Sequence, residues 1–147
     1  MADDLQDLPQ ALHRFLELFN REEYWESHEV LEGPWRDEGS DFYQGLILYA
    51  SAFVHAQRGN PRGVGAQLVK TERKLGGYRP CYLGIDVDAV LAHSARCREL
   101  VELRRDEEDP RSDPSSWLEV VDVPRLELHR RLVRGDEPEL RPLPDPR

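Results

Sequence analysis

Lysine is almost missing from this chain: Lys70 and Lys74 stand against eighteen arginines. Cysteine is equally scarce. Cys81 and Cys97 lie sixteen positions apart with no C-x-x-C, which excludes a zinc knuckle or a redox pair and leaves two reduced thiols. No stretch approaches the roughly 20 consecutive apolar residues of a membrane span. The acidic start Met1-Ala2-Asp3-Asp4 has no apolar segment of the kind a secretory signal needs, so the expectation is a soluble, cytoplasmic protein with no membrane partner. A net charge of −9 repels polyphosphate and argues against nucleic acid as a partner. Internal repeats are absent.

What remains is an ordinary globular composition, 39% hydrophobic and 33% charged over 147 residues, long enough for one core. The apolar spacing is helical almost throughout. Leu12, Phe15, Leu16 and Phe19 predict a first helix over about residues 8–19. Asn20, with Glu23 three residues on, reads as the capping box of a second helix, with Phe19 and Tyr24 as its hydrophobic staple. Gly33-Pro34 ends or kinks that helix. A third runs from about Asp41 to Arg58, apolar on nearly every side and therefore buried. Gly59, Asn60 and Pro61 stop it and cap a fourth, which reaches about Leu75. After a connector over 76–85, a fifth helix starts at Asp86, stapled by Ile85 and Val90, and ends near Arg105.

Seven of the eleven prolines fall between positions 110 and 146, after an acidic run at 106–109. The predicted fold is thus all-α, a compact array of about five helices over 1–105, followed by an acidic, proline-rich tail over 106–147. Within the tail, Trp117 to Leu128 is apolar enough to dock on the bundle, and little intrinsic structure is expected from Gly135 onward.

Function must come from polar groups where apolar ones are expected. At 100° per residue, Leu31, Trp35, His28 and Glu32 fall within about 80° of Tyr24, so His28 sits on the apolar side of the second helix with Glu32 one turn along. On the third helix, Gln44, Ser51 and His55 form one polar stripe at i, i+7 and i+11. Antiparallel packing of these two helices would face His28 and Glu32 toward part of that stripe.

Three readings stand. The residues form a satisfied hydrogen-bond network that sets helix register. They line a pocket for a small polar ligand, with His28, Glu32, Gln44, Ser51 and His55 as contacts and a histidine as acid or base. Or His28, Glu32 and His55 hold a metal ion. The string His28-Glu29-Val30-Leu31-Glu32 is not H-E-x-x-H, and the glycine-rich Gly59–Gly65 lacks the preceding strand and closing Lys-Ser/Thr of a phosphate loop. Gly63, Gly65 and Ala66 are better read as small residues allowing close helix approach. Trp25, Trp35 and Trp117 read as core or tail-docking residues. Cys97 reads as an inward-facing small hydrophobe, and His13, His93 and His129 as solvated. No cofactor is named by any of this. The alternative is a different class: a non-enzymatic interaction module whose partner docks on the bundle or the tail.

Several segments resemble the domain-of-unknown-function 309 family. They are Phe19-Asn20, Tyr24-Trp25-Glu26-Ser27-His28-Glu29-Val30-Leu31-Glu32 with Trp35, and Tyr43-Gln44-Gly45-Leu46-Ile47. His55, Arg58-Gly59-Asn60-Pro61-Arg62-Gly63 and Gly84-Ile85-Asp86 complete the likeness, which spans about residues 10–105. It implies a compact all-α array of about five helices with unassigned activity. The matching motif residues are His28, Glu29, Glu32, Gln44, His55 and Asn60, and Ser27 departs from an alanine in the pattern. The resemblance assigns no catalytic role and does not reach the tail.

Overall fold

The computed structural model describes residues 8–106 and 116–138. Five long helices dominate: α1 (Gln10–Asn20), α2 (Tyr24–Glu38), α3 (Asp41–Gln57), α4 (Pro61–Leu75) and α5 (Val87–Asp106). A short α6 (Ser116–Val121) opens the tail, and a 3-10 turn (Arg130–Leu132) lies beyond it. The all-α reading holds. The connector after α4 folds into a 3-10 turn (Gly76–Tyr78) and a minimal antiparallel pair, β1 (Cys81–Tyr82) and β2 (Ile85–Asp86). Its tip carries left-handed backbone at Leu83 (φ 49°) and Gly84 (φ 79°).

α3 is the spine. With apolar groups on every side it is buried along its length, packing most extensively on α4 and then on α2. Its centre is an aromatic cluster. Phe19 of α1 stacks on Tyr49 at 5.6 Å, while Tyr24 of α2 and Phe53 of α3 approach Phe19 edge-on at 5.1 and 6.0 Å. At the other end of α3, Phe42 packs against Tyr78 and Tyr82 of the connector at 5.4 and 4.7 Å.

The helix boundaries follow local chemistry, with two departures from the sequence expectation. Asn60 caps α4 by accepting from the Gly63 N–H, and Asp86 caps α5 by accepting from the Ala89 N–H. α3 starts at Asp41 as predicted, capped by Ser40, which accepts from the Tyr43 N–H at 3.2 Å. α2 does not end at Gly33-Pro34 but continues to Glu38, where Gly39 closes it in a left-handed conformation (φ 65°). Asn20 is no N-cap. It is the last residue of α1, and α2 begins after a turn in which Glu22 takes φ 64°. The predicted staple contact survives in the Phe19–Tyr24 pair.

Freed from capping, the Asn20 side chain reaches the tail. Its Nδ2 donates to the Leu126 carbonyl and its Oδ1 accepts from the Leu126 N–H, both at 2.8 Å. The tail thereby forms a strap across the bundle. Trp117, Val121 and Leu126 are buried, and residues 116–121 are helical. The strap is pinned twice more. The His129 N–H donates to the Gly84 carbonyl at 2.8 Å, and the Glu137 carboxylate accepts from the N–H groups of Leu83, Arg134 and Gly135 at 2.9, 3.0 and 2.7 Å. A buried, three-bonded side chain at 137 departs from the expectation of little structure beyond Gly135, and positions 139–147 lie outside the described residues. No described helix is long and apolar enough to cross a membrane.

Candidate functional site

The apolar face of α2 is rotated relative to its sequence reading. Tyr24, Ser27 and Leu31 are its buried residues. Ser27 is small enough to let the helix roll toward it, and its hydroxyl is satisfied by donating to the Tyr24 carbonyl at 2.8 Å. That roll leaves His28 and Glu32 half-buried on the flank. Glu32 turns toward Arg36 at 3.9 Å. His28 bonds through Nδ1 to the Trp25 carbonyl. Because a carbonyl only accepts, Nδ1 carries the proton and Nε2 is left as the ring's acceptor.

The polar stripe of α3 lies along the α4 side. Ser51 accepts from Gln67 Nε2 of α4 at 2.8 Å. His55 Nδ1 accepts from Asn60 Nδ2 at 3.1 Å, while Asn60 also caps α4. Burial and the neighbouring Arg58 guanidinium hold the His55 pKa below its ordinary value, in keeping with a neutral ring that presents Nε2–H outward. Gly63 makes this arrangement possible, since a Cβ there would collide with the His55 ring and the Asn60 amide. Gly65, by contrast, has nothing within 4 Å of a hypothetical Cβ and serves no close approach. Gln44 enters through its backbone, its N–H donating to the Ser40 carbonyl at 3.1 Å.

The five residues singled out in the sequence are therefore engaged by separate local partners. Among the described residues, no three His, Cys, Asp or Glu side chains are grouped to hold a metal ion. No buried side-chain nitrogen or oxygen among them lacks a hydrogen-bond partner.

What the fold does bring together is a surface corner at the start of α2 and the end of α3. Trp25 is not core: its side chain is 46% exposed. The Arg58 guanidinium lies over the indole at 5.5 Å, and the His28 ring packs on it at 4.7 Å. Gln57 ties the end of α3 to the turn before α2 by donating to the Glu22 carbonyl at 2.9 Å. His55 and Asn60 complete the edge. Trp25 was missed as a surface residue because it neighbours Tyr24 and is apolar. The available signal was angular: at 100° per residue it lies on the far side of α2 from Ser27.

A second polar constellation was missed altogether. His93 of α5 is not solvated. The Tyr49 hydroxyl meets His93 Nδ1 at 2.6 Å, and His93 Nε2 meets the carbonyls of Val121 and Asp122 at 2.7 and 3.1 Å. Cys97, buried as expected, points its Sγ at the Val121 carbonyl at 3.2 Å. Burial raises the Tyr49 and Cys97 pKa values, the latter to about 12, and burial lowers that of His93. All three groups are thus held neutral, which suits a structural seam better than a nucleophile or a general base.

No curated protein and no solved structure gives a significant match to the chain. Residues 12–66, from α1 into the first turns of α4 and including Trp25, His28, His55, Arg58 and Asn60, match the model of the domain of unknown function DUF309, and this stretch belongs to that family.

Proposed function

We propose that the protein is a binding module whose recognition surface is the α2–α3 corner formed by Trp25, His28, His55, Arg58 and Asn60. One observation carries the reading: an indole 46% exposed yet held in place by a guanidinium on its face and an imidazole beside it. Holding an aromatic ring rigid at the surface reduces the entropy lost on binding, and Trp and Arg are the residue types that dominate protein interfaces. The outward polar groups are mostly donors, namely Arg58, the Nε2–H of His55 and the Asn60 amide. They favour a protein segment that places a carboxylate beside an apolar side chain.

A photo-crosslinking residue at exposed position 29, one turn along α2 from Trp25, would capture such a partner, and binding would then be measured with purified components. Trp25→Ala and Arg58→Ala are each expected to weaken the complex about tenfold or more, with little change in melting temperature. Undiminished binding in both variants refutes the reading, as does a Trp25→Ala melting-temperature loss of the size a core residue gives. The small-ligand or metal reading of His28, Glu32 and His55 retains one supporting feature, the outward acceptor Nε2 of His28. Stoichiometric zinc binding lost in His28→Gln would favour it over a protein partner.

A further inference from the structure

The seam between the strap and the bundle is polar, and every proton in it has one arrangement. The His93 Nε2–H donates to Val121 and Asp122 carbonyls, so Nδ1 is the acceptor for the Tyr49 O–H, and the Cys97 S–H is left for the Val121 carbonyl. Asp122 adopts φ 45°, which ends α6 with both carbonyls available to one imidazole. We propose that His93 is a pH-operated latch: neutral, it holds the α6 limb of the strap (residues 116–122) on α3 and α5, and its protonation releases that limb.

A proton on Nδ1 leaves the Tyr49 hydroxyl proton with no acceptor, in surroundings formed by Phe19 and Phe53. It also places a cation against the backbone of buried Val121. The groups facing the ring are Tyr49 from α3, Cys97 and Arg96 from α5, and Asp122 from the strap. The two carbonyls and the Asp122 carboxylate favour the imidazolium. Burial and the Arg96 guanidinium oppose it, and burial is the largest influence. The sign follows. A histidine whose docked pKa is depressed supports docking fully above its ordinary value of about 6.5, and that support is lost as pH falls below it toward the docked pKa. The other pins behave differently. Asn20 does not titrate, and the Glu137 carboxyl is held below its ordinary range, so Leu126 and the segment beyond stay attached in mild acid. Release of the α6 limb would uncover the α3–α5 surface around Tyr49, Phe53 and Cys97.

Proton NMR titration of the full chain, combined with amide exchange corrected for intrinsic rates, tests the latch. His93 is expected to titrate below 6.5. Amides of residues 117–122 should lose about tenfold in protection between pH 7.5 and pH 5, while those of Leu126 and His129 change far less. His93→Gln should remove this pH dependence. A His93 midpoint at or above 6.5 overturns the proposal. So does α6 protection that is indifferent to pH, loss spread evenly through α1–α5, or an unchanged pH response in His93→Gln. The wild-type titration alone is decisive if that variant does not fold.

Discussion

Replacing Asn20 with alanine isolates the contact that most clearly joins the strap to the bundle. The carboxamide makes two hydrogen bonds of 2.8 Å to one residue's N–H and C=O, the pairing a neighbouring β-strand would offer, across 106 positions of sequence. Truncation removes both and leaves the two main-chain groups of Leu126, itself 7% exposed, to find water. Each net hydrogen bond contributes about 1 kcal/mol and a stranded buried group costs about 1–3, so allowing the strap to relax, the loss is roughly 2–3 kcal/mol. For a chain of this size that lowers the melting temperature by about 5–10 °C. Asn20→Asp keeps the acceptor for the Leu126 N–H but sets a carboxylate against its carbonyl, so it should not restore stability. Urea denaturation gives the energies, and amide exchange at Leu126 locates the effect. If Asn20→Ala changes stability by less than about 0.5 kcal/mol and the Leu126 amide stays protected, the strap is held elsewhere and the reasoning fails.

Two further substitutions test the packing and the third pin. In Gly45→Ala, helix propensity alone predicts a gain of up to about 1 kcal/mol. A Cβ there would instead press on the fully buried Leu75, with Cγ at 2.6 Å, so a loss of about 1–3 kcal/mol by thermal melting is expected, and a gain would show that α3 and α4 are looser than described. Glu137→Gln turns one carboxylate oxygen into an NH2 group facing main-chain donors, with an expected loss of about 1–3 kcal/mol at neutral pH. Burial pushes the Glu137 carboxyl up, but N–H bonds from Arg134, Leu83, Glu137 itself and Gly135 outweigh it, so its folded pKa is depressed. Its contribution is therefore present above the ordinary value of 4.5 and lost as pH falls through that region, so the stability gap between wild type and Glu137→Gln should narrow below about pH 4.5. A gap constant from pH 7 to pH 3 would refute the assignment.

Legibility in the sequence tracked the range of the interactions. The Asn60 and Asp86 caps act over three residues and were readable, as was the burial of α3, whose composition admits no solvent face. Asn20 was misread because the capping-box pattern is equally present at a helix end followed by a tight turn. The turn here is made by Glu22 in a left-handed conformation, which no glycine advertises. The tilt of α2 toward Ser27 moved His28 from the centre of the buried face to its flank, a change of a few tens of degrees that periodicity does not resolve. His93 meets Tyr49 and Val121 from 44 and 28 positions away, and Glu137 reaches the bundle at Leu83, 54 positions away, and nothing local in a charged helix or a proline-rich tail points to these contacts.

The placement of polar groups in this fold has a common cause in the shape of α3. A helix apolar on all sides must be walled all round. α4 and α2 form most of that wall, and Phe19 of α1 stacks on Tyr49. The remaining side, around Tyr49 and Phe53, is closed by α5 together with α6, which comes from far along the chain. Apolar contact is non-directional, so an entirely apolar closure there would specify register only weakly. Carbonyls at the end of α6 can meet the His93 ring in only one register, and the Asn20–Leu126 pair fixes the strap one step further on. The polar seam thus selects among dockings that the apolar contacts alone leave weakly specified, and it joins Tyr49 and Asn20 of the family-matched stretch to His93 and the strap beyond it.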